Sequence, residues 1–176
     1  MRCTDRAVGP AFGGAGVSVD RGAMTKVDVC NVIPAMKAGR IVEISGGNEG
    51  NWAPNDPASM RSAIDANIHV LGDAEIAGDM PKSGFSANSQ AKVAAMPFHC
   101  ELTSSNVFPA KYANTCWSLI GTDDGVKVGA SCEATVQKIA KVDGVISQTG
   151  EDAELRKRTC EESLGWYAAI TTEMSG

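Results

Sequence analysis

The run Ile68-His69-Val70-Leu71 breaks at Gly72-Asp73, and a short loop then leads into helix formers, Ser86 to Ala95. An apolar run of this length that ends in Gly-Asp suits a strand buried on both faces of a parallel sheet. Glycine lets a backbone approach a ligand closely, and the carboxylate of Asp73 can accept hydrogen bonds from sugar-like hydroxyls. The free N–H groups of a following helix favour negative charge. Strand, Gly-Asp, loop and helix start together form a ligand-binding arrangement.

The rest of the chain divides by pattern. Val17 to Asp20 and Lys26 to Ile33 are rich in β-branched residues and predict strands, the second ended by Pro34. Residues 37–58 carry Gly, Asn and Pro throughout and predict mostly loop. The helix from Ser86 is expected to stop before Pro97, because proline has no N–H to donate and clashes with the preceding turn. Three β-like runs follow, Thr115–Ile120, Val126–Ser131 and Thr135–Ile139, with Asp124-Gly125 as a hairpin signal between the first two. From Asp152 to about Thr172, Cys160, Leu164, Tyr167 and Ala168 recur at helical spacing, and Thr149 with Asp152 offers a capping box. The expectation is an α/β (α+β) chain: αβ pieces over 1–96, then a small antiparallel sheet and helix over 97–176.

Charge and cysteine usage narrow the function. A net charge of −5 argues against nucleic acid and anionic membranes as partners. No apolar run is long enough to span a bilayer. Cys3, Cys30, Cys100, Cys116, Cys132 and Cys160 form no CxxC pair, and His99-Cys100-Glu101, being adjacent, do not converge on one ion. Nothing in the pattern points to a metal.

The segment MPKSGFSANSQ (80–90), with Gly72-Asp73 before it, resembles the flavoprotein subunit of flavocytochrome c sulfide dehydrogenase. The resemblance continues through GVSVD (16–20), the DVCNVIPAMKAGRI run (28–41), GNWAPND (50–56), KYANTCWSLI (111–120) and GWYAAI (165–170). It implies that 1–96 hold the C-terminal part of a second nucleotide-type domain and of an incomplete glutathione-reductase-like FAD domain, and that 97–176 form a C-terminal interface domain. It implies FAD as cofactor, sulfide as substrate, a cytochrome c subunit as partner and a periplasmic location. By the same resemblance, Gly72 and Asp73 meet the ribityl and phosphate part of FAD. Pro81, Lys82, Ser83, Gly84, Ser86 and Ala87 lie beside the isoalloxazine ring, with the helix N-terminus at its pyrimidine edge. Cys116 matches the family's C-terminal redox cysteine, whose disulfide partner lies in the N-terminal half. Trp117 and Trp166 are expected to pack in a core.

Three departures accompany the resemblance. No G-x-G-x-x-G follows a strand, Ala53 stands where the family has a cysteine before Pro54, and MPFHCELTSSN (96–106) interrupts a helix that continues in the family. The missing fingerprint predicts an N-terminal FAD-binding part upstream of residue 1, and a chain that by itself is inactive and does not hold FAD tightly. Two alternatives keep other chemistry open: a fragment of a sulfide:quinone or NADH-type flavin reductase, and a non-catalytic remnant.

Overall fold

The computed structural model describes residues 16–18, 24–26 and 35–175. The chain divides into two compact units, Met1–Lys37 and Ala38–Gly176. In the first, β1 (Gly16–Ser18) pairs antiparallel with β2 (Met24–Lys26). The strand expected over Val17–Asp20 thus coincides in part with β1, while most of the one expected over Lys26–Ile33 lies outside the described residues.

The second unit is built on a three-stranded antiparallel sheet in the order β3 (Lys111–Gly121), β4 (Asp124–Ala134), β5 (Ile139–Ile146). Cross-strand register puts Tyr112, Asn114 and Cys116 on one face with Cys132, Ala130 and Val128. A second helix-bearing layer closes part of that face: Tyr112, Cys132 and Ile139 pack with Met60, Ala77, Met80, Val93 and Ala94. On the opposite face lies α3 (Ala153–Ser175), and it lies close. A Cβ on Gly125 of β4 would come 2.8 Å from the Cys160 amide nitrogen, so glycine is what permits this approach. The sheet plus helices make a small α+β domain.

The free edge of β3 is covered by α2 (Gly84–Thr103), whose Ser89 hydroxyl accepts from the Ala113 amide at 3.1 Å. An uncovered edge would offer unpaired N–H and C=O groups to other chains. Phe85 of α2 reaches round to the α3 side, where it stacks on Trp166 at 5.3 Å and meets Trp117 at 5.9 Å. Both tryptophans thus join helices and sheet, but each is only half-buried and lies outside the buried core cluster.

Several expectations change. The helix begins two residues before Ser86 and runs through Pro97 to Thr103, ending where Ser104 turns left-handed (φ 53). A proline inside a helix costs about 3 kcal/mol. Its last turns are held by tertiary contacts: Cys100 is buried, Phe98 packs on His69 at 4.6 Å, and Glu101 pairs with Arg61 at 2.8 Å. A domain boundary at 96/97 falls inside this helix, and the core cluster draws residues from both sides of it. Among the described residues the run Ile68–Leu71 joins no sheet; its segment makes an isolated bridge, Arg61 with His69, and Ile68 stays 47% exposed. Residues 37–58 contain a short helix, α1 (Arg40–Ile44).

The hairpin turn is Thr122-Asp123, with Asp123 at φ 54, so Asp124-Gly125 belongs to β4. The run Thr135–Ile139 is mostly a turn, closed by the Thr135 hydroxyl and amide against Lys138, and β5 starts only at Ile139. Asp152 alone caps α3, its carboxylate accepting from the Leu155 amide at 2.8 Å.

Candidate functional site

The Gly72-Asp73 motif is held against the first turns of α2. Gly72, at φ 72, opens a one-turn helix, Gly72–Ala74, in a conformation that side chains with a Cβ rarely adopt. Its amide donates to Gln90 Oε1 of α2 at 2.6 Å. Gln90 Nε2 in turn donates to Glu75 Oε1 at 2.8 Å, and Asn55 Nδ2 donates to Glu75 Oε2 at 3.0 Å. Glu75 is fully buried. Burial pushes its carboxyl above the usual range, against the pull of Asn55, Lys82 and Gln90.

Lys82 bridges the same loop. Its ammonium donates to the carbonyl of Asp73 at 2.9 Å and to that of Glu75, and lies 4.0 Å from the centre of the Trp52 ring. Desolvation lowers its pKa, while Glu75 and Asp73 pull it the other way. A lysine so tied is part of the loop's framework rather than a loose surface charge. The carboxylate of Asp73, by contrast, is on an exposed residue and open to a ligand.

Ser83 caps α2, its hydroxyl accepting from the Ser86 amide at 3.1 Å. Ser86 is buried and lies 2.5 Å from the Pro81 carbonyl. Both hydroxyls also reach Asn114 Oδ1 on β3, at 2.6 and 2.9 Å. Asn114 Nδ2 then stands 3.7 Å from Cys116 Sγ, two residues along the same sheet face. The Cys116 thiol is unpaired and half-buried, and it lies on the side of β3 that carries the α2 N-terminus. No structural disulfide joins Cys100, Cys116, Cys132 or Cys160, all of which are free.

Cys116, Val128 and Ile146 lie in register across the three strands. Val128 is 49% and Ile146 63% exposed, so the sheet face beyond Asn114 is apolar and uncovered. Gly84, open to at least 4 Å around its missing Cβ, leaves the helix end unobstructed. The Gly84 and Phe85 amides have no partner among the described residues. These features fit a flat, partly anionic cofactor: apolar floor, open N–H groups, and an exposed carboxylate for hydroxyls.

All the residues singled out from the sequence fall in this region: Gly72 and Asp73 in the turn, Pro81 to Ala87 at the α2 start, and Cys116 on the facing strand. Ala87 Cβ would be 3.4 Å from a Cβ on Gly72, which sets the spacing between turn and helix. Sequence reasoning missed Glu75, Gln90, Asn55 and Asn114. Gln90, Asn55 and Asn114 lie within the segments that carry the resemblance, but only the fold brings them together.

The fold and this region define a small α+β cofactor-binding domain. Residues 109–174 match the family model described as Flavocytochrome c sulphide dehydrogenase, flavin-binding. This stretch of the chain therefore matches a flavin-binding domain, consistent with the C-terminal part of that family's flavoprotein subunit, and supports FAD as the cofactor.

Proposed function

We propose that this chain supplies the Cys116-bearing part of an FAD-dependent sulfide dehydrogenase that passes electrons from sulfide to a cytochrome c subunit in the periplasm. One observation carries the reading: an unpaired thiol on β3 is joined, through Asn114, to the two serines at the start of α2. A thiol and a helix N-terminus on one side of a sheet bring a sulfur nucleophile and an anion-stabilising end together.

The geometry supports the following roles. Gly72 and the open α2 amides take the backbone close to the cofactor, Asp73 offers acceptors to its hydroxyls, and Val128 and Ile146 exclude water beside Cys116. Bound FAD supplies the two-electron acceptor that sulfur oxidation requires. Cys116 in its disulfide form, with a cysteine outside the described residues, is the group that sulfide attacks; a new S–S bond forms as the old one breaks and releases a thiolate.

The test is Cys116→Ser in the FAD-loaded protein. Sulfide-dependent flavin reduction is expected to fall by about a hundredfold or more, the scale of losing a covalent catalyst, while flavin content stays unchanged. Reduction at the wild-type rate would refute the assignment.

A further inference from the structure

Glu75 has no exposed surface and sits between two side-chain amides. Its Oε1 accepts from Gln90 Nε2 at 2.8 Å and its Oε2 from Asn55 Nδ2 at 3.0 Å. Backbone groups fix both amides. Gln90 Oε1 takes the Gly72 N–H at 2.6 Å, and a backbone N–H only donates, so a turned Gln90 would set donor against donor. Asn55 Nδ2 also donates to the Val70 carbonyl at 3.2 Å, which only accepts, so a turned Asn55 would set acceptor against acceptor. Both carboxyl oxygens therefore face fixed N–H donors, and Glu75 is a carboxylate in this arrangement. Around it, α2 presents the neutral Gln90, and the loop before α2 presents the Lys82 ammonium, which also feels Asp73. Tyr112 of β3 stays protonated, through burial and the charges of Glu75 and Asp56.

We propose that Glu75 is a positioning residue for the Gly72-Asp73 turn: its carboxylate orients Asn55 and Gln90, these hold Val70 and Gly72, and proton uptake by Glu75 loosens the turn. A proton on either oxygen meets an N–H, and the amide it displaces releases Val70 or Gly72. Burial pushes the carboxyl up, against the pull of Asn55, Lys82 and Gln90, so the proton is taken up above the ordinary value of 4.5. A raised folded pKa means that the folded chain binds this proton more tightly than the unfolded chain. Acidification through it therefore takes away no global stability through Glu75, and the loosening is local. The inference rests on the turn meeting the cofactor, yet its test reads the turn alone.

Glu75→Gln keeps the shape but offers one acceptor where two are needed. By NMR, either the Gly72 amide is expected to exchange about tenfold faster, the scale of one lost hydrogen bond, or the Val70 carbonyl resonance to move to that of a free carbonyl. Adding Gln90→Glu should restore both signals: the carboxylate, moved to position 90, accepts from Gly72 and from the new amide at 75, whose oxygen takes Asn55. Adding Asn55→Asp instead sets a carboxylate against the Val70 carbonyl and should restore neither. In the wild type, which needs no variant to fold, one of the two signals should titrate above pH 4.5 while amide protection along β4 holds. That titration should be absent from Glu75→Gln. Wild-type signals in Glu75→Gln, or equal effects of the two second substitutions, would overturn the inference. If the turn responds as expected while Glu75→Gln binds FAD as the wild type does, the Glu75 role stands and the turn's place in the proposed site falls.

Discussion

The amide of Gly72 donates to the side chain of Gln90, eighteen residues along the chain, at 2.6 Å. The contact ties the glycine turn to the second turn of α2, and Gln90 spends its other end on buried Glu75. Gln90→Leu keeps the volume but strands a buried amide and a buried carboxylate oxygen. The expected cost is about 2–5 kcal/mol, since each unsatisfied group costs about 1–3 and a charged one more. Denaturant unfolding reads the total, and amide exchange at Gly72 should accelerate; unchanged exchange at Gly72 would show that the turn is held by something else.

Cys116 should be the first to react among Cys100, Cys116, Cys132 and Cys160. The other three are buried, and burial also pushes the Cys132 thiol up. Alkylation of the native protein, mapped by peptide, should mark Cys116 well before Cys132; the reverse order would contradict the described sheet face.

Gly78 and Gly84 should behave as opposites. Gly78 sits at φ 62, and a Cβ there would lie 2.5 Å from the Ile139 carbonyl, whereas Gly84 has nothing within 4 Å. Gly78→Ala is expected to destabilise by about 2–4 kcal/mol, from left-handed strain plus forced repacking. Gly84→Ala should stay within about 1 kcal/mol of wild type. Thermal or denaturant melts of the two variants check the contrast.

Asp79 gives the fold a pH dependence. The Lys138 ammonium at 2.6 Å and the Lys141 amide hold its carboxyl below its ordinary value of 3.8. A depressed folded pKa contributes stability that is present above the unfolded value and lost as pH falls through the folded one. Wild type should therefore melt above Asp79→Asn near neutrality, and the gap should shrink as pH drops below about 4, close to the reference aspartate value. A gap that is constant or widens on acidification would rule the ion pair out as its source.

Much of the candidate site was legible before the fold because its residues cluster along the chain: Gly72-Asp73 and 80–90 occupy one stretch. Strand periodicity sets Tyr112, Asn114 and Cys116 on one face only because β3 starts at Lys111, four residues before the run expected from Thr115. What escaped was tertiary. Pro97 signals a stop, but contacts from Arg61 and His69 carry the helix past it. Val136 has strand-like chemistry yet stands 94% exposed in a turn, because hydrogen bonds from Thr135 to Lys138 fix the local path. Ile68–Leu71 has the apolar content of a sheet strand, and local pattern cannot say whether neighbouring strands exist to pair with it. Glu75 resembles a surface acid until Asn55 and Gln90 close on it from distant positions.

The proposed function puts FAD between the α2 start and Cys116. An amide-resolved NMR titration of this chain with FAD tests it most directly, because it registers weak binding as well as tight. The account expects saturable shifts at Gly72, Asp73, Ser83, Gly84, Phe85 and Cys116, with residues 153–158 on the opposite side of the sheet unmoved. Saturable shifts confined to residues away from the α2 start, or no shift at Gly84 and Cys116 at saturating FAD, would contradict it.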